Sequence, residues 1–230
     1  MNYHREIEFR IPDEVTKIPD YCFAYSNLET LTNYEHITKI EDHAFCQSNL
    51  KEFRIPDGVT EIPEGCFCES KLQTLTNYEH ITKIWKYAFS ASNLKEFIIP
   101  NGVIEIPEGC FYHSKLETLT NYAHITKIVQ LAFVGTNLKE FIIPNGVIEI
   151  PEECFYHSKL ETLTNCAHVT KIVQRAFVGT NLKEFIIPNG VTDIPEGCFR
   201  DSKLEHVSVP NLFKEIRRDT FPRNCIITCR

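Results

Sequence analysis

Residues 93–136 and 137–180 are the same 44 residues written twice, apart from Gly109/Glu153, Tyr122/Cys166, Ile125/Val169 and Leu131/Arg175. A fixed internal period constrains a fold more than any single motif, because each unit must bury its apolar residues against its neighbours. Each unit divides again. Asn49 to Ser70 reads NLKEFRIPDGVTEIPEGCFCES and Lys71 to Ser92 reads KLQTLTNYEHITKIWKYAFSAS, each 22 residues with apolar side chains at matching places. These A and B forms alternate five times from Arg5 to Asn224, giving ten repeats of 22 residues.

Within an A form, Leu94, Phe97 and Ile99 end in the period-two alternation of a strand. Pro100-Asn101-Gly102 then stops it, since proline cannot donate to a ladder and Asn-Gly accepts positive φ. A second short apolar segment, Val103 and Ile106, leads into Pro107-Glu108-Gly109-Cys110-Phe111, a stretch whose shortness predicts a tight or 3₁₀ turn carrying Phe111 inward.

One such coil buries too little to offset the entropy of ordering its own backbone, so stacking has to supply the rest. The expectation is a single solenoid domain over residues 1–230, with repeats from 5 to 224 and a closing strand at 225–230. At about 4.8 Å per rung the body is about 50 Å long. Arg5 and Glu6 stand where later A forms carry Asn and Leu, which predicts a charged first edge.

The pattern in NLKEFIIPNGVIEIPEGCFYHS, together with ITKIVQLAF and ITKIWKYAF of the B forms, resembles the BspA-like class of leucine-rich repeats over almost the whole chain. That resemblance implies a right-handed, curved leucine-rich-repeat solenoid, mainly β with short 3₁₀ or turn segments, whose strands line a concave face. It further implies a non-enzymatic surface protein associated with adhesion to host proteins. The B forms depart from the pattern: Asn33, Asn77, Asn121 and Asn165 replace an inward Ile, followed by Tyr34, Tyr78, Tyr122 and Cys166 in place of Pro.

No phosphate-binding glycine loop, nucleophile elbow or zinc-protease motif is present, and nearly every polar residue recurs in several copies, which argues against a catalytic constellation. No cofactor or metal is expected. His36, His80, His124 and His168 recur two rungs apart, too far to share one ion and better read as turn residues bonded to backbone. A net charge of −7 offers no basic stripe for nucleic acid, and no apolar run is long enough to span a membrane. Met1 to Arg10 carries no apolar leader, which by sequence points to the cytoplasm, against the cell surface that the resemblance implies.

Of ten cysteines, Cys22, Cys66, Cys110, Cys154 and Cys198 alternate with Ala44, Ala88, Ala132 and Ala176 at one small apolar site. Two rungs, about 9.6 Å, exceed the roughly 7 Å limit for a bridge, so these read as buried free thiols. Cys46 and Cys68 lie one rung apart, and their geometry permits either a bridge or two thiols.

Alternation leaves Glu96 and Ile98 pointing outward with Lys95 beside them, and likewise Lys139, Glu140 and Ile142, Lys183, Glu184 and Ile186, and Lys51, Glu52 and Arg54. Thr118, Thr120, Thr162 and Thr164 fill the rungs between. This ladder is the expected protein-binding surface. Trp85, Tyr87, Val129, Leu131 and Val134 offer a second, convex candidate. The functional expectation is a protein-binding module for adhesion, with an intracellular scaffold as the alternative; the partner is a protein, and the chain itself is a monomer or weakly self-associating. In so repetitive an array specificity falls to deviating positions such as Glu153, Cys166 and Arg175.

Overall fold

The computed structural model describes residues 7–211, 213 and 218–230. It is a β-solenoid of ten turns of 22 residues, with Arg218–Thr220 the only helical segment among the described residues. The charged edge expected at Arg5 and Glu6 lies outside them.

Each turn has three sides. On the first, three-residue strands pair in parallel: Glu52–Arg54 with Thr74–Thr76, Glu96–Ile98 with Thr118–Thr120, and Glu140–Ile142 with Thr162–Thr164. Ile7–Arg10 pairs with Leu28–Thr32 at one end, and Glu184–Ile186, His206–Val209 and Ile226–Cys229 form a three-stranded sheet at the other. On the second side, two-residue strands pair the same way, as Glu105–Ile106 does with Lys127–Ile128. Both sides pair an A form with the B form that follows it, and apart from the terminal pairing of His206–Val209 with Ile226–Cys229 the long strands of a B form and the next coil are not paired. The 44-residue unit is therefore also the hydrogen-bonded unit on these faces.

The third side is continuous. From Phe23 to Phe199 each phenylalanine at this site donates its N–H to the carbonyl one turn onward, at 2.8–3.1 Å. Their rings stack from Phe23 through to Phe221 at 4.9–6.0 Å. Leu, Ile and Val from the strands close one core around this column, running from Ile11 to Phe221.

Of the two forms expected for this turn, the first nine coils take a chain of tight turns and the tenth takes the 3₁₀ form at Arg218–Thr220. Its first residue is left-handed in the first nine coils, where Tyr21, His43, Gly65, Tyr87, Gly109, Leu131, Glu153, Arg175 and Gly197 all have φ between 51° and 66°. A second left-handed residue follows four positions later, as at His113 and Gly135, and the sign reversals stop any regular helix from propagating. Gly109 is dictated by more than φ, because a Cβ there would lie 2.2 Å from the ring of Tyr87. Glu153 occupies the same site one unit later, where the residue one coil back is Leu131 rather than an aromatic ring.

Candidate functional site

All sixteen residues of the expected surface are exposed on the long-strand face: Lys51, Glu52, Arg54, Lys95, Glu96, Ile98, Thr118, Thr120, Lys139, Glu140, Ile142, Thr162, Thr164, Lys183, Glu184 and Ile186. The strands place them by simple alternation, with Phe53, Phe97, Phe141 and Phe185 buried beneath. Register brings Glu96 beside Thr118 and Ile98 beside Thr120, and repeats this one unit later with Glu140, Thr162, Ile142 and Thr164. Ile98, Ile142 and Ile186 are 56–62% exposed, which marks them as surface rather than core despite their apolar character. The lysines pair across the rung rather than with the glutamate beside them in sequence, Lys95 with Glu117 at 3.1 Å and Lys139 with Glu161 at 3.8 Å.

The B-form departures turn out to join the coils. Asn33, Asn77, Asn121 and Asn165 are left-handed and reach back to the preceding A form. Each donates its side-chain amide to a strand-end carbonyl, Ile11, Ile55, Ile99 or Ile143, at 2.6–2.7 Å. The same amide also reaches the turn residue Asp13, Asp57, Asn101 or Asn145 at 2.6–2.9 Å. The tyrosine that follows reaches forward. Tyr34, Tyr78 and Tyr122 lie flat on Phe53, Phe97 and Phe141 of the next A form, with ring centroids 4.8–5.1 Å apart. Their hydroxyl oxygens accept the strand N–H of Arg54, Ile98 and Ile142 at 3.1–3.4 Å. The tyrosine thus caps the strand edge that backbone pairing leaves open. Burial pushes the Tyr34 and Tyr78 hydroxyls above their ordinary pKa, so they stay protonated.

Residues 3–117 and 104–228 each match the family model described as BspA type leucine rich repeat region, six copies in all. The chain belongs to the BspA-type leucine-rich-repeat family. Its fold is that of solved bacterial proteins of low sequence identity. A leucine-rich cell surface protein of Faecalibacterium prausnitzii A2-165 is 21% identical with a TM-score of 0.61, covering 96% of this chain and 78% of that one. The pneumococcal vaccine antigen PcpA is 19% identical with a TM-score of 0.54, covering 96% and 73%. A leucine-rich repeat protein of Bacteroides ovatus is 18% identical with a TM-score of 0.51, covering 97% and 83%. No curated protein sequence matches the chain. Solenoids of this family are typically binding scaffolds, and its relatives include cell-surface proteins. Among the described residues no helix is long and apolar enough to cross a membrane.

The other surface considered from the sequence is largely used up by the BspA-type array itself. Val134 is buried, and the Tyr87 hydroxyl donates to Glu108 Oε1 at 2.9 Å in the next turn. Trp85 remains 40% exposed, but its Nε1 donates to Glu61 Oε2 and Lys83 Nζ lies 3.2 Å from its ring centroid. These contacts satisfy neighbouring turns.

The cysteines fall as spacing requires, with one exception. Cys66, Cys110, Cys154 and Cys198 are buried free thiols whose pKa burial raises, Cys198 to about 12, whereas Cys22 in the first A form is exposed. Cys46 and Cys68 form a disulfide, with Cα atoms 4.7 Å apart. The recurring histidines bond to backbone of the preceding coil, as His80 Nε2 does to the Val59 carbonyl and His124 Nε2 to that of Val103, both at 2.9 Å. His43 Nδ1, Cys46 Sγ and Cys68 Sγ lie within 4.8 Å of one another, and the disulfide occupies both thiols.

Proposed function

We propose that this chain is a non-enzymatic protein-binding module of adhesion type that holds its partner on the long-strand face, acting as one elongated unit. The observation that carries the reading is the row Ile98, Ile142 and Ile186, three exposed isoleucines in register at two-rung intervals, edged by Lys–Glu pairs. An apolar strip with a charged rim is the usual composition of an interface core and its border. The Cys46–Cys68 disulfide favours an oxidising exterior over the intracellular-scaffold alternative, since it is the bond that a reducing cytosol would open.

The test is binding of the full chain to a panel of host surface and matrix proteins, beside the triple variant Ile98→Lys, Ile142→Lys, Ile186→Lys. At least one ligand is expected to lose tenfold or more in affinity while the thermal unfolding midpoint holds. Undiminished binding by the triple variant would rule out this face, and no binding to any member of the panel by the native chain would rule out the adhesion reading.

A further inference from the structure

Three of the four differences between residues 93–136 and 137–180 leave the surface in balance. Glu153 and Arg175 arrive together and neutralise one another at 3.0 Å. Ile125 and Val169 are both fully buried, a core exchange of one methylene. The fourth, Tyr122 to Cys166, has no compensating change.

At the seams sealed by Tyr34, Tyr78 and Tyr122, a flat ring covers the next phenylalanine and a hydroxyl oxygen receives the next strand N–H. At the seam between Thr162–Thr164 and Glu184–Ile186 the residue in that place is Cys166, and its thiol turns away to the Thr164 carbonyl at 3.6 Å. Two consequences are visible. Leu163 is partly uncovered, whereas Leu75 and Leu119 at the same site are buried. An open cleft of about 860 Å³ lies over Leu163, Cys166, Phe185 and Ile186, against about 430 and 570 Å³ at the Tyr34 and Tyr122 seams. Ile187 donates to Ser208 on the far side, so the alternating backbone aims the Ile186 N–H into this cleft, as its counterparts Ile98 and Ile142 are aimed at a tyrosine hydroxyl. Arg230 closes the adjoining edge, donating to the Ile187 carbonyl at 2.7 Å and to Asn189 Oδ1 at 2.8 Å, the two roles an asparagine fills in the other units.

We propose that the Cys166 seam is a binding site for a phenolic ring supplied from outside the chain. The ring lies on Phe185 against Leu163 where the missing tyrosine would lie, and its oxygen accepts the Ile186 N–H. The array contains its own template for this ligand three times over, in contacts that differ by no more than 0.3 Å in ring separation or in the N–H to oxygen distance. Aromatic groups with a polar tip are the side chains most used as anchors at protein interfaces. The interaction is non-covalent, because burial pushes the Cys166 thiol up to about 12 and leaves no thiolate at neutral pH. The source is either a tyrosine of a bound protein or a free phenol; the site shares Ile186 with the isoleucine strip, while Ile98 and Ile142 lie outside it.

Titration of the ¹⁵N-labelled full chain with p-cresol, and separately with N-acetyl-tyrosinamide, tests it. A saturable shift of the Ile186 amide is expected with a dissociation constant on the order of 1 mM, the range a ligand of so few atoms reaches. Toluene, with no oxygen, should bind several-fold more weakly. Cys166→Tyr, which restores the sequence of the other units, should abolish the shift, and Tyr122→Cys should open a second site read at the Ile142 amide. Binding of both probes assigns the site to a partner's tyrosine, and binding of p-cresol alone assigns it to a free phenol. Ile98→Lys lies outside this seam and should leave the titration unchanged, which separates this site from the proposed adhesion face. No saturable shift at Ile186, or an equal one in Cys166→Tyr, would overturn the proposal.

Discussion

The first two units and the last three share a core but not a face. In the first two, the outward residue at the end of the long strand is arginine, and it pairs with an aspartate in the following turn: Arg10 with Asp13 and Arg54 with Asp57, each at 2.9 Å. In the last three the same two places hold Ile98 and Asn101, Ile142 and Asn145, Ile186 and Asn189. The turn keeps its shape, because Asn77 bonds to Asp57 and Asn121 to Asn101 in the same way. The two positions change as a pair, so the array never exposes the turn carboxylate without its cation. One end of the molecule presents a self-neutralised ionic face, and the other presents bare isoleucine over a neutral turn.

The comparison fails first if the two regions differ beneath the surface. Phe67→Ala and Phe155→Ala remove equivalent, fully buried rings from the two regions, and each should cost about 3–5 kcal/mol by denaturant unfolding. Costs that differ by more than about 1 kcal/mol would mean that the cores are not equivalent. A smaller effect separates the turns. Asn121→Gly keeps the left-handed backbone and loses two neutral hydrogen bonds, about 1–3 kcal/mol together. Asn77→Gly should cost more at pH 7, because one of its acceptors is a carboxylate. The Asn77 amide, and after it Arg54, hold the Asp57 carboxyl below its ordinary pKa. A depressed folded pKa contributes stability that is complete above the unfolded carboxylate value and is lost as pH falls through the folded one. The excess cost of Asn77→Gly should therefore shrink as melts are taken from pH 7 into acid, and a gap that does not diminish would contradict the charge assignment. Least costly of all, the double exchange Ile98→Arg, Asn101→Asp carries the ionic face into the third unit. It should shift stability by no more than about 0.5 kcal/mol. A larger loss would show that isoleucine at this site packs rather than waits for a partner.

Much of this was legible in the chain. The 22-residue period set the rungs, and period-two alternation placed Glu96 and Ile98 outward over Phe97. The left-handed turns were hidden because the residues that adopt them are chemically unrelated: Tyr87, Gly109, Leu131, Glu153 and Arg175 share φ but no side-chain property. What Tyr87, Gly109, Leu131 and Glu153 share is a backbone ladder that holds the conformation from both neighbouring coils, and Arg175 is held from the coil behind, where Glu153 donates to the Gln174 carbonyl. The asparagine and tyrosine of the B forms were visible as a two-rung rhythm. Their work was not, since each acts on a residue 20 or 22 positions away, across an interface that exists only once the coils are stacked. Spacing alone could also not choose between bridge and thiols at Cys46 and Cys68.

The closed A–B pair has a consequence for how such a chain changes length. Inserting or deleting 44 residues creates only junctions that the molecule already makes, so every asparagine bracket and tyrosine lid finds its usual neighbour. Inserting a single coil of 22 would set two A forms side by side, Ile-Pro against Ile-Pro, with neither bracket nor lid between them. The array can thus grow or shrink by whole pairs without a repair mutation, and the near-duplicate at residues 137–180 has the length such a step requires.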